Sequence, residues 1–429
     1  IIKTMIQSFM NKLSDKPLRI LMPSYRSHPF TGGQGIYMRL VTKAMLELGH
    51  YVEVISGQPY PILDKGVKLT KLPSLDLYSY DSPLKAFKFK LLKEPINLYE
   101  WLSHISGGFS EPYTFGERMA VWGKKNYNRF DVVHDNQTLA YGLIKLRDMG
   151  VPVVGTIHHP ITMDKRIDIK HAETLSLKLL KWRWYSFLKM QIKVARKLDP
   201  IIVVSENTRK DVVKDFKIDP KKTRKVLHGI DHKTFEPIPS IKRKKNQLIT
   251  TASADVPLKG LIYLIRAYSD LLNDFPDLSL IVIGKLRDGP TSKELDKKGI
   301  KDKVKFISDL TSRQIAELYA ESTIAVSPSV YEGFGFPAGE AMSCGIPLIS
   351  TNGGSLPEVV GESGIIVPHS NPNELQKAIK ELLLSPEKRR ELGEKGRNRV
   401  LEKFTWKRAA KELVDVYREA ISNADNRSK

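Results

Sequence analysis

Residues 329–340 read Ser-Val-Tyr-Glu-Gly-Phe-Gly-Phe-Pro-Ala-Gly-Glu, so Glu332 and Glu340 lie eight positions apart across a glycine-rich loop. Apolar runs stand on both sides, at 324–328 and 346–350, and a helix-compatible segment separates the loop from the second run. This order predicts a strand, a loop, a helix and another strand. It is the repeating unit of a parallel sheet covered by helices.

The glycine-rich loop suits a ligand that carries both phosphate and hydroxyl groups. Ligands of open α/β sheets bind beyond the carboxyl ends of the strands, where loop glycines allow close approach and helix N-terminal amides attract phosphate. A carboxylate repels phosphate but accepts hydrogen bonds from sugar and ribose hydroxyls. Glu332 and Glu340 therefore predict a ligand with a polyol part. The alternative is an ordinary loop with solvated glutamates.

Four further stretches occur in a fixed order along the chain. They are Gly32-Gly-Gln-Gly-Ile-Tyr37, Gly155-Thr-Ile-His-His159, Leu227-His-Gly-Ile-Asp-His-Lys-Thr-Phe-Glu-Pro237 and Pro257-Leu-Lys-Gly260. Together with 329–340 they resemble the retaining, nucleotide-sugar-dependent glycosyltransferases of family 4, and the likeness runs from about Arg19 to Trp406. The resemblance implies the α/β GT-B fold, in which two Rossmann-like parallel-sheet domains face a cleft and a C-terminal helix crosses back to the first domain.

The resemblance also implies roles for individual residues. Glu332 would contact the hydroxyls of the donor sugar, Glu340 the ribose, Lys259 the departing diphosphate, and His158 the transferred sugar. Further donor-binding residues implied by the same motifs are Gly33, Gly333, Phe334, Gly335 and Phe336. A structural histidine and a surface lysine are the alternatives for His158 and Lys259.

Two features of this chain bear on the acceptor and on the leaving group. His159 and Arg166 follow the same strand end as His158, and we expect them to contact the acceptor. The family usually has an arginine just upstream of the position of Lys259, but here residues 252–255 read Ala-Ser-Ala-Asp. Arg287 is a candidate substitute.

The implied reaction is transfer of a sugar from a nucleotide-diphosphate donor to an acceptor hydroxyl, with retained anomeric configuration. Lys259, loop amides and helix dipoles would supply the positive field, so we expect neither a metal nor a cofactor beyond the donor itself. The preferred mechanism is departure and attack on one face of the sugar. A phosphorylase or a sugar-nucleotide epimerase of the same fold is the alternative reaction.

The charge predicts anionic partners. The net charge is +21 and the isoelectric point is about 9.6. Residues 161–200 hold ten Lys or Arg and four acids, with aromatic residues among them, and the basic residues from Lys178 to Arg196 recur at helical spacing. A basic amphipathic helix of this kind is typical of an anionic membrane surface. The alternatives are a packed helix with a solvated lysine face and, from charge alone, a nucleic-acid-binding α/β protein; no nucleic-acid motif supports the latter.

The length of 429 residues is enough for two domains. We predict an acceptor-binding domain at 1–226, joined by a C-terminal helix at 406–429, and a nucleotide-sugar-binding domain at 227–405. The linker is expected near the charged runs 221–225 and 241–245, because periodicity lapses there.

Several sequence features bear on localisation. No apolar run is long enough to span a membrane, Cys344 is the only cysteine, and residues 1–10 lack a small-residue cleavage site. We therefore expect a cytoplasmic protein, or one peripheral on the inner face of the membrane, that acts on a polyol, glycan or lipid-linked acceptor.

Overall fold

The computed structural model describes residues 16–29, 33–87, 89, 93–252 and 256–427. These residues form two compact units. The first unit comprises the chain up to Val203, Arg209–Val226, and Ala409 onward. The second comprises Val204–Thr208 and Leu227–Arg408. The sequence-based expectation about residues 1–10 lies outside the described residues.

The first unit is built on a parallel sheet whose seven described strands run in the order β3-β2-β1-β4-β5-β6-β7. The strands are β1 (Arg19–Ser24), β2 (Tyr51–Ser56), β3 (Lys68–Lys71), β4 (Val132–Asn136), β5 (Val153–Ile157), β6 (Ile201–Val203) and β7 (Thr223–Lys225). The central strands β4 and β5 are buried at every position. A parallel strand covered by helices on both faces needs such a continuous buried run.

The α-helices described between the strands of the first unit are α1 (Gly33–Glu47), α2 (Pro95–Ile105), α3 (Glu111–Gly123), α4 (Tyr141–Asp148), α5 (Thr162–Lys170), α6 (Leu175–Trp184), α7 (Leu188–Ala195) and α8 (Glu206–Phe216). Helix α8 begins in the segment counted with the second unit. Apolar side chains of α3, α4, α7 and α8 meet the sheet in one core, which includes Met119, Leu143, Val194 and Val212.

The second unit repeats the plan with a parallel sheet whose six described strands run in the order β10-β9-β8-β11-β12-β13. The strands are β8 (Gln247–Thr251), β9 (Ser279–Ile283), β10 (Val304–Ile307), β11 (Ile324–Ser327), β12 (Leu348–Thr351) and β13 (Ile365–Val367). The helices are α9 (Leu261–Leu271), α10 (Pro290–Lys298), α11 (Ser312–Glu321), α12 (Phe336–Ser343), α13 (Leu356–Val360), α14 (Pro372–Leu384) and α15 (Pro386–Lys403).

The last helix, α16 (Trp406–Arg427), starts in the second unit and contributes everything from Ala409 onward to the first. Its fully buried Tyr417 lies 2.5 Å from His134 of β4, oxygen to ring nitrogen. Arg224 of β7 pairs with Glu419 on the same helix. The predicted return of the C-terminal helix to the first domain is confirmed.

The region 57–118 contains more regular structure than its many prolines suggest. This region contains β3 and the helices α2 and α3. Pro95 and Pro112 lie in the first turns of these helices. Proline is tolerated there because the first backbone N–H groups of a helix have no partner within it.

The charged run at 221–225, predicted as linker, is also ordered. Pro220–Lys222 is a 3-10 turn, and Thr223–Lys225 forms the edge strand β7 against β6. An edge strand with charged residues resists pairing with other chains, which explains the low hydrophobicity of this strand.

The single basic helix predicted over 178–196 is broken. Helix α6 ends at Trp184, a 3-10 turn covers Tyr185–Phe187, and α7 follows. The cause is packing, because Tyr185 and Phe187 turn inward and join Phe109 in a buried cluster. The basic residues therefore do not form one continuous stripe.

Candidate active site

Each sheet reverses its strand order once, between β1 and β4 in the first unit and between β8 and β11 in the second. The crevice beyond the carboxyl ends of the strands at such a reversal is where open α/β sheets bind ligands. In the second unit, the loop after β8 leads to Lys259 and the loop after β11 carries Glu332. The topology therefore brings these two predicted residues to one place.

Lys259 and Glu332 form an ion pair, with 2.7 Å between Lys259 Nζ and Glu332 Oε1. Ser329 Oγ donates a second hydrogen bond of 2.7 Å to the same carboxylate oxygen. Both charged side chains retain some solvent exposure, 31% for Lys259 and 14% for Glu332. A ligand can therefore reach the pair, and a phosphate near the lysine would compete with the carboxylate for it.

Backbone contacts hold the Glu332 loop in place. The backbone oxygen of Glu332 accepts hydrogen bonds from the backbone N–H and the hydroxyl of Ser355, at 2.9 and 3.0 Å. Gly354 has φ +63°, and a Cβ there would lie 2.2 Å from that same oxygen. Gly260 has φ +62°, and a Cβ there would lie 2.1 Å from the backbone oxygen of Pro328. Only glycine permits these approaches.

The two phenylalanines of the loop do not face outward. The Phe334 ring packs against His228 and Phe404, with ring centroids 5.1 and 5.8 Å away. The Phe336 ring stacks on His228 at 5.3 Å. Of the predicted donor-binding residues, Phe334 and Phe336 thus anchor the loop with their side chains. Gly335, at φ +98°, is the N-cap of α12.

Glu340 lies on the second turn of α12. Burial raises the pKa of its carboxyl to about 7, and the negative charge of Asp231 adds to the rise. Asp231 belongs to the Leu227–Pro237 motif, which the resemblance had identified without giving it a role. The raised pKa means that the site disfavours a bare carboxylate, so a ligand that donates hydrogen bonds to it would favour the ionised form.

Arg287, the candidate substitute for the absent arginine, is exposed in the segment after β9. Strand β9 neighbours β8, so Arg287 follows the carboxyl end of a strand next to the one that leads to Lys259. Residues 253–255 lie outside the described residues.

His158 follows the end of β5 in the first unit and is held by amide side chains. Its Nε2 lies 2.6 Å from Asn136 Oδ1, and its backbone N–H donates to Gln137 Oε1 at 2.6 Å. Since Asn136 Nδ2 donates to Ser24 Oγ, its Oδ1 is the acceptor and His158 carries the proton on Nε2. The Tyr37 ring packs edge-on against the imidazole at 4.6 Å. Sequence reasoning missed Asn136 and Gln137, which no motif covers.

Gly33 is the first residue of α1, the helix that also contributes Tyr37. Only glycine fits at position 35, because a Cβ there would lie 2.0 Å from the backbone oxygen of His28. The N-terminal amides of α1 are thereby brought close to the segment after β1. An anion is favoured at such a helix end.

The two predicted acceptor residues are engaged within the first unit. His159 Nε2 lies 2.6 Å from Asp164 Oδ2. The guanidinium of Arg166 donates to both oxygens of Asp215, at 3.0 and 2.7 Å. Burial alone would raise the pKa of Asp215, but hydrogen bonds from Arg166 and Thr162 outweigh it and lower the pKa. Arg166 thus ties α5 to α8.

A cluster that sequence reasoning missed lies near the carboxyl end of β1. Tyr25 follows that strand, Arg26 lies 4.9 Å from the centre of the Tyr78 ring, and Glu111 opens α3 with Oε2 3.6 Å from Arg26. Burial raises the pKa of Glu111 to about 7, although Arg26 opposes the rise. No hydrogen bond reaches Glu111 Oε2 from any described residue. These residues are distant in sequence, so no spacing could reveal them.

Two kinds of feature are absent from the described residues. No group of three or more His, Cys, Asp or Glu side chains in this part of the chain is arranged to hold a metal ion. Among the helices described, none is both long and apolar enough to cross a bilayer.

Comparison with known proteins agrees with this geometry. The family model described as Glycosyltransferase Family 4 matches residues 31–234, and the model described as Glycosyl transferases group 1 matches residues 233–399. The chain is also 42% identical over 410 residues to the MMP alpha-(1->4)-mannosyltransferase of Mycolicibacterium hassiacum, covering 94% of this chain and 99% of that protein. The chain belongs to the group 1 glycosyltransferases. This retaining glycosyltransferase thus contains the two Rossmann-like domains of the GT-B fold.

More distant relatives share the whole length of this glycosyltransferase. The D-inositol 3-phosphate glycosyltransferase of Streptomyces bingchenggensis is 26% identical over 442 residues, covering 96% of this chain and 91% of that protein. The solved structure of sucrose-phosphate synthase from Thermosynechococcus elongatus matches with a TM-score of 0.70 at 20% identity, covering 95% of this chain and 100% of that chain. The structural match supports the fold alone.

Proposed function

We propose that this glycosyltransferase moves a mannosyl group from a nucleotide-diphosphate donor to a glycan acceptor and forms an α-(1→4) linkage. The proposal rests on the Lys259–Glu332 pair at the carboxyl end of the second sheet and on the full-length relative with 42% identity. That relative is named for α-(1→4) mannosyl transfer.

The donor is held by the second unit. Lys259 leaves Glu332 and neutralises the diphosphate, and Glu332 then accepts hydrogen bonds from the sugar hydroxyls. Glu340 accepts hydrogen bonds from the ribose diol, which favours its ionised form. Gly333, Gly335 and the start of α12 present backbone to the donor. In the first unit, Gly33 contacts phosphate.

The reaction breaks the bond between the sugar C1 and the diphosphate oxygen and forms a bond from C1 to the acceptor oxygen on the same face. The departing phosphate oxygen takes the proton of the acceptor hydroxyl, so charge and atoms balance without an enzyme nucleophile. Lys259 stabilises the charge that develops on the diphosphate as the bond breaks. His158, fixed by Asn136, contacts the transferred sugar.

The acceptor is recognised by the first unit through Glu111 and the rings around it. Aromatic faces suit the apolar face of a pyranose ring, and Glu111 has a buried oxygen with no hydrogen-bond partner among the described residues. Tyr25, Arg26 and Tyr78 complete this surface. His159 and Arg166 contribute only if their pairs with Asp164 and Asp215 open.

A product assay tests the proposed activity. The enzyme is incubated with a panel of nucleotide-diphosphate sugars and short mannosides, and the product linkage is read by proton and carbon NMR. We expect a new α-anomeric signal attached at C4, from a mannose donor. A β-linkage would contradict retention, and a sugar phosphate or an epimerised donor formed without acceptor would identify a phosphorylase or an epimerase.

Exposed apolar residues of α6 support docking on an anionic membrane. They are Leu175, Leu177, Leu179, Leu180 and Trp182, which are between 43% and 74% exposed. Lys165 Nζ lies 4.0 Å from the centre of the Trp182 ring. Basic residues Lys178, Lys181 and Arg183 occur on the same helix. Apolar and basic side chains together match the acyl boundary and the headgroups of anionic lipid.

Vesicle flotation tests the membrane partner. We expect recovery with phosphatidylglycerol vesicles but not with phosphatidylcholine, and loss of recovery in a Leu175→Glu, Leu179→Glu variant. The matched control is Leu384→Glu in the second unit, where the leucine is 66% exposed. If the wild type stays soluble with both vesicles, the membrane role is wrong. Self-association measured by sedimentation would then indicate that the exposed apolar residues of α6 contact a second copy of this chain.

A further inference from the structure

A cavity of about 960 Å³ opens in the second unit, and it lies away from the donor residues. Its lining includes Asn246, Thr323 and Gly345, which precede β8, β11 and β12 respectively. These positions are at the amino ends of parallel strands. Glu332 and Lys259 follow the carboxyl ends, so the cavity is at the opposite edge of the same sheet.

The lining of this cavity is strongly basic. It contains six cationic side chains and one carboxylate, that of Glu394. The six are Arg243, Lys244, Lys245, Arg389, Arg390 and Arg397. A concave surface of one charge sign concentrates counter-ions of the other sign.

Most of these cations have no acidic partner. Lys244 pairs with Glu321, but none of the five other cations forms an ion pair with a described residue. Three of the arginines instead donate to carbonyl oxygens: Arg243 to Gly345, Arg389 to Leu382 and Leu383, and Arg397 to three backbone oxygens. A carbonyl satisfies a hydrogen bond but does not neutralise the charge.

The helix dipole and burial both disfavour the excess positive charge of the cavity lining. Helix α15 begins at Pro386, so Arg389 and Arg390 lie in its first two turns, where the helix dipole opposes positive charge. Burial lowers the pKa of Arg243, and the nearby positive charge of Arg389 contributes to the lowering. An anion in the cavity would relieve both effects.

We propose that this cavity binds a small phosphate-bearing metabolite, at a site separate from the donor-binding residues. Guanidinium groups match phosphate oxygens in a two-point geometry, and several of them can contact one phosphate group. The volume is large enough for the sugar or nucleoside part of such a compound. This binding site goes beyond the transferase reaction and does not depend on it.

Calorimetric titration with inorganic pyrophosphate at constant ionic strength tests the site. The variant is Lys245→Gln, Arg390→Gln, because neither side chain has a described structural contact. We expect its affinity for pyrophosphate in the cavity to fall by roughly tenfold or more, since each charged hydrogen bond is worth about one factor of ten. Lys297→Gln, Lys305→Gln removes the same charge elsewhere in the second unit and should leave the affinity unchanged.

Lys259→Gln separates this site from the donor site. If pyrophosphate still binds to Lys259→Gln and is lost in Lys245→Gln, Arg390→Gln, the cavity is the binding site whatever the transferase activity proves to be. If binding is lost only in Lys259→Gln, or falls equally in the control pair, the proposal is wrong. Thermal unfolding of each variant without ligand verifies that all of them fold.

Discussion

The carboxyl ends of the two sheets are built in different ways. In the second unit, the charged residues of the candidate site stand on loops that are held at their backbone, as by the bonds from the N–H and the hydroxyl of Ser355 to the backbone oxygen of Glu332. In the first unit, His158 is fixed by the side chains of Asn136 and Gln137. Backbone packing requires glycines at set positions, whereas side-chain bonds can be made from any strand end. The residues at the carboxyl ends of the second unit's strands therefore lie in contiguous sequence motifs, whereas those of the first unit do not.

The largest expected effect comes from removing the charge of Lys259. In Lys259→Gln, kcat should fall by about 10²–10³-fold while KM rises less, because the charge on the diphosphate develops in the transition state. Steady-state kinetics with the preferred donor measure both constants. An equal loss of kcat in Lys305→Gln, or a change confined to KM in Lys259→Gln, would contradict the proposed role of Lys259. Either result would weaken the contrast between the carboxyl ends of the two sheets.

A glycine pair tests the backbone packing at the carboxyl end of the second unit's sheet. Gly354→Ala places a Cβ 2.2 Å from the backbone oxygen of Glu332, so the loop must shift, and we expect a loss of about 2–4 kcal/mol in unfolding free energy together with weakened donor binding. Gly299→Ala is the matched control, since Gly299 has nearly the same φ, +64°, with no atom within 4 Å. Denaturant unfolding compares them. Similar losses in the two variants would mean that backbone conformation alone is responsible.

Glu340 should make donor binding depend on pH. Its pKa is about 7 in the free protein, and hydroxyl donation from the ribose would lower it in the complex. Affinity should therefore rise with pH through about 7, with release of a proton, and Glu340→Gln should lose about 1–3 kcal/mol and the pH dependence. Calorimetry in buffers of different ionisation enthalpy counts the proton. No proton release would exclude the ribose contact.

The same carboxyl group affects stability in the opposite sense. Because the folded pKa is raised, folding favours the protonated form, so this contribution is full below the ordinary glutamate range and is lost as pH rises through about 7. Thermal unfolding of the donor-free protein should show this loss, and Glu340→Gln should not. A flat wild-type profile would mean that Glu340 is better solvated than its surroundings indicate.

The smallest effect is expected at the carboxyl end of the first unit's sheet, where His158 lies. Asn136→Ala removes the acceptor for His158 Nε2–H, and we expect kcat to fall by about tenfold, the worth of one positioning hydrogen bond. Gln191→Ala is a comparison variant, because Gln191 also holds this region through bonds to the backbone oxygens of Gln137 and Thr138. If Asn136→Ala and Gln191→Ala have the same kinetics, the backbone and not the Asn136 side chain positions His158. The contrast between the carboxyl ends of the two sheets would then be wrong.

Much of the candidate site in the second unit could be predicted from sequence, but little of the site in the first unit could be. The order strand, loop, helix around Glu332 was confirmed because glycines and apolar runs are local signals. The ion pair between Lys259 and Glu332 was not predicted, since it joins loops that only the sheet order brings together. Glu111 and Asn136 were missed for the same reason.

The errors in the first unit also have physical causes. Proline is a common loop signal, but it is equally suited to a helix start, as at Pro95 and Pro112, so it does not distinguish the two. The basic spacing from Lys178 to Arg196 ignored Tyr185 and Phe187, which pack inward and break the helix. Local patterns do not show which side chains a distant segment will cover.

The path of α16 has a consequence for synthesis of the chain. His134 is fully buried, and its partner Tyr417 follows it by 283 residues, so most of the second unit is synthesised between the two. This contact of the first unit can therefore form only after most of the second unit has been synthesised. Ribosome stalling a few turns before Tyr417 should leave β4 open to proteolysis that the released protein resists.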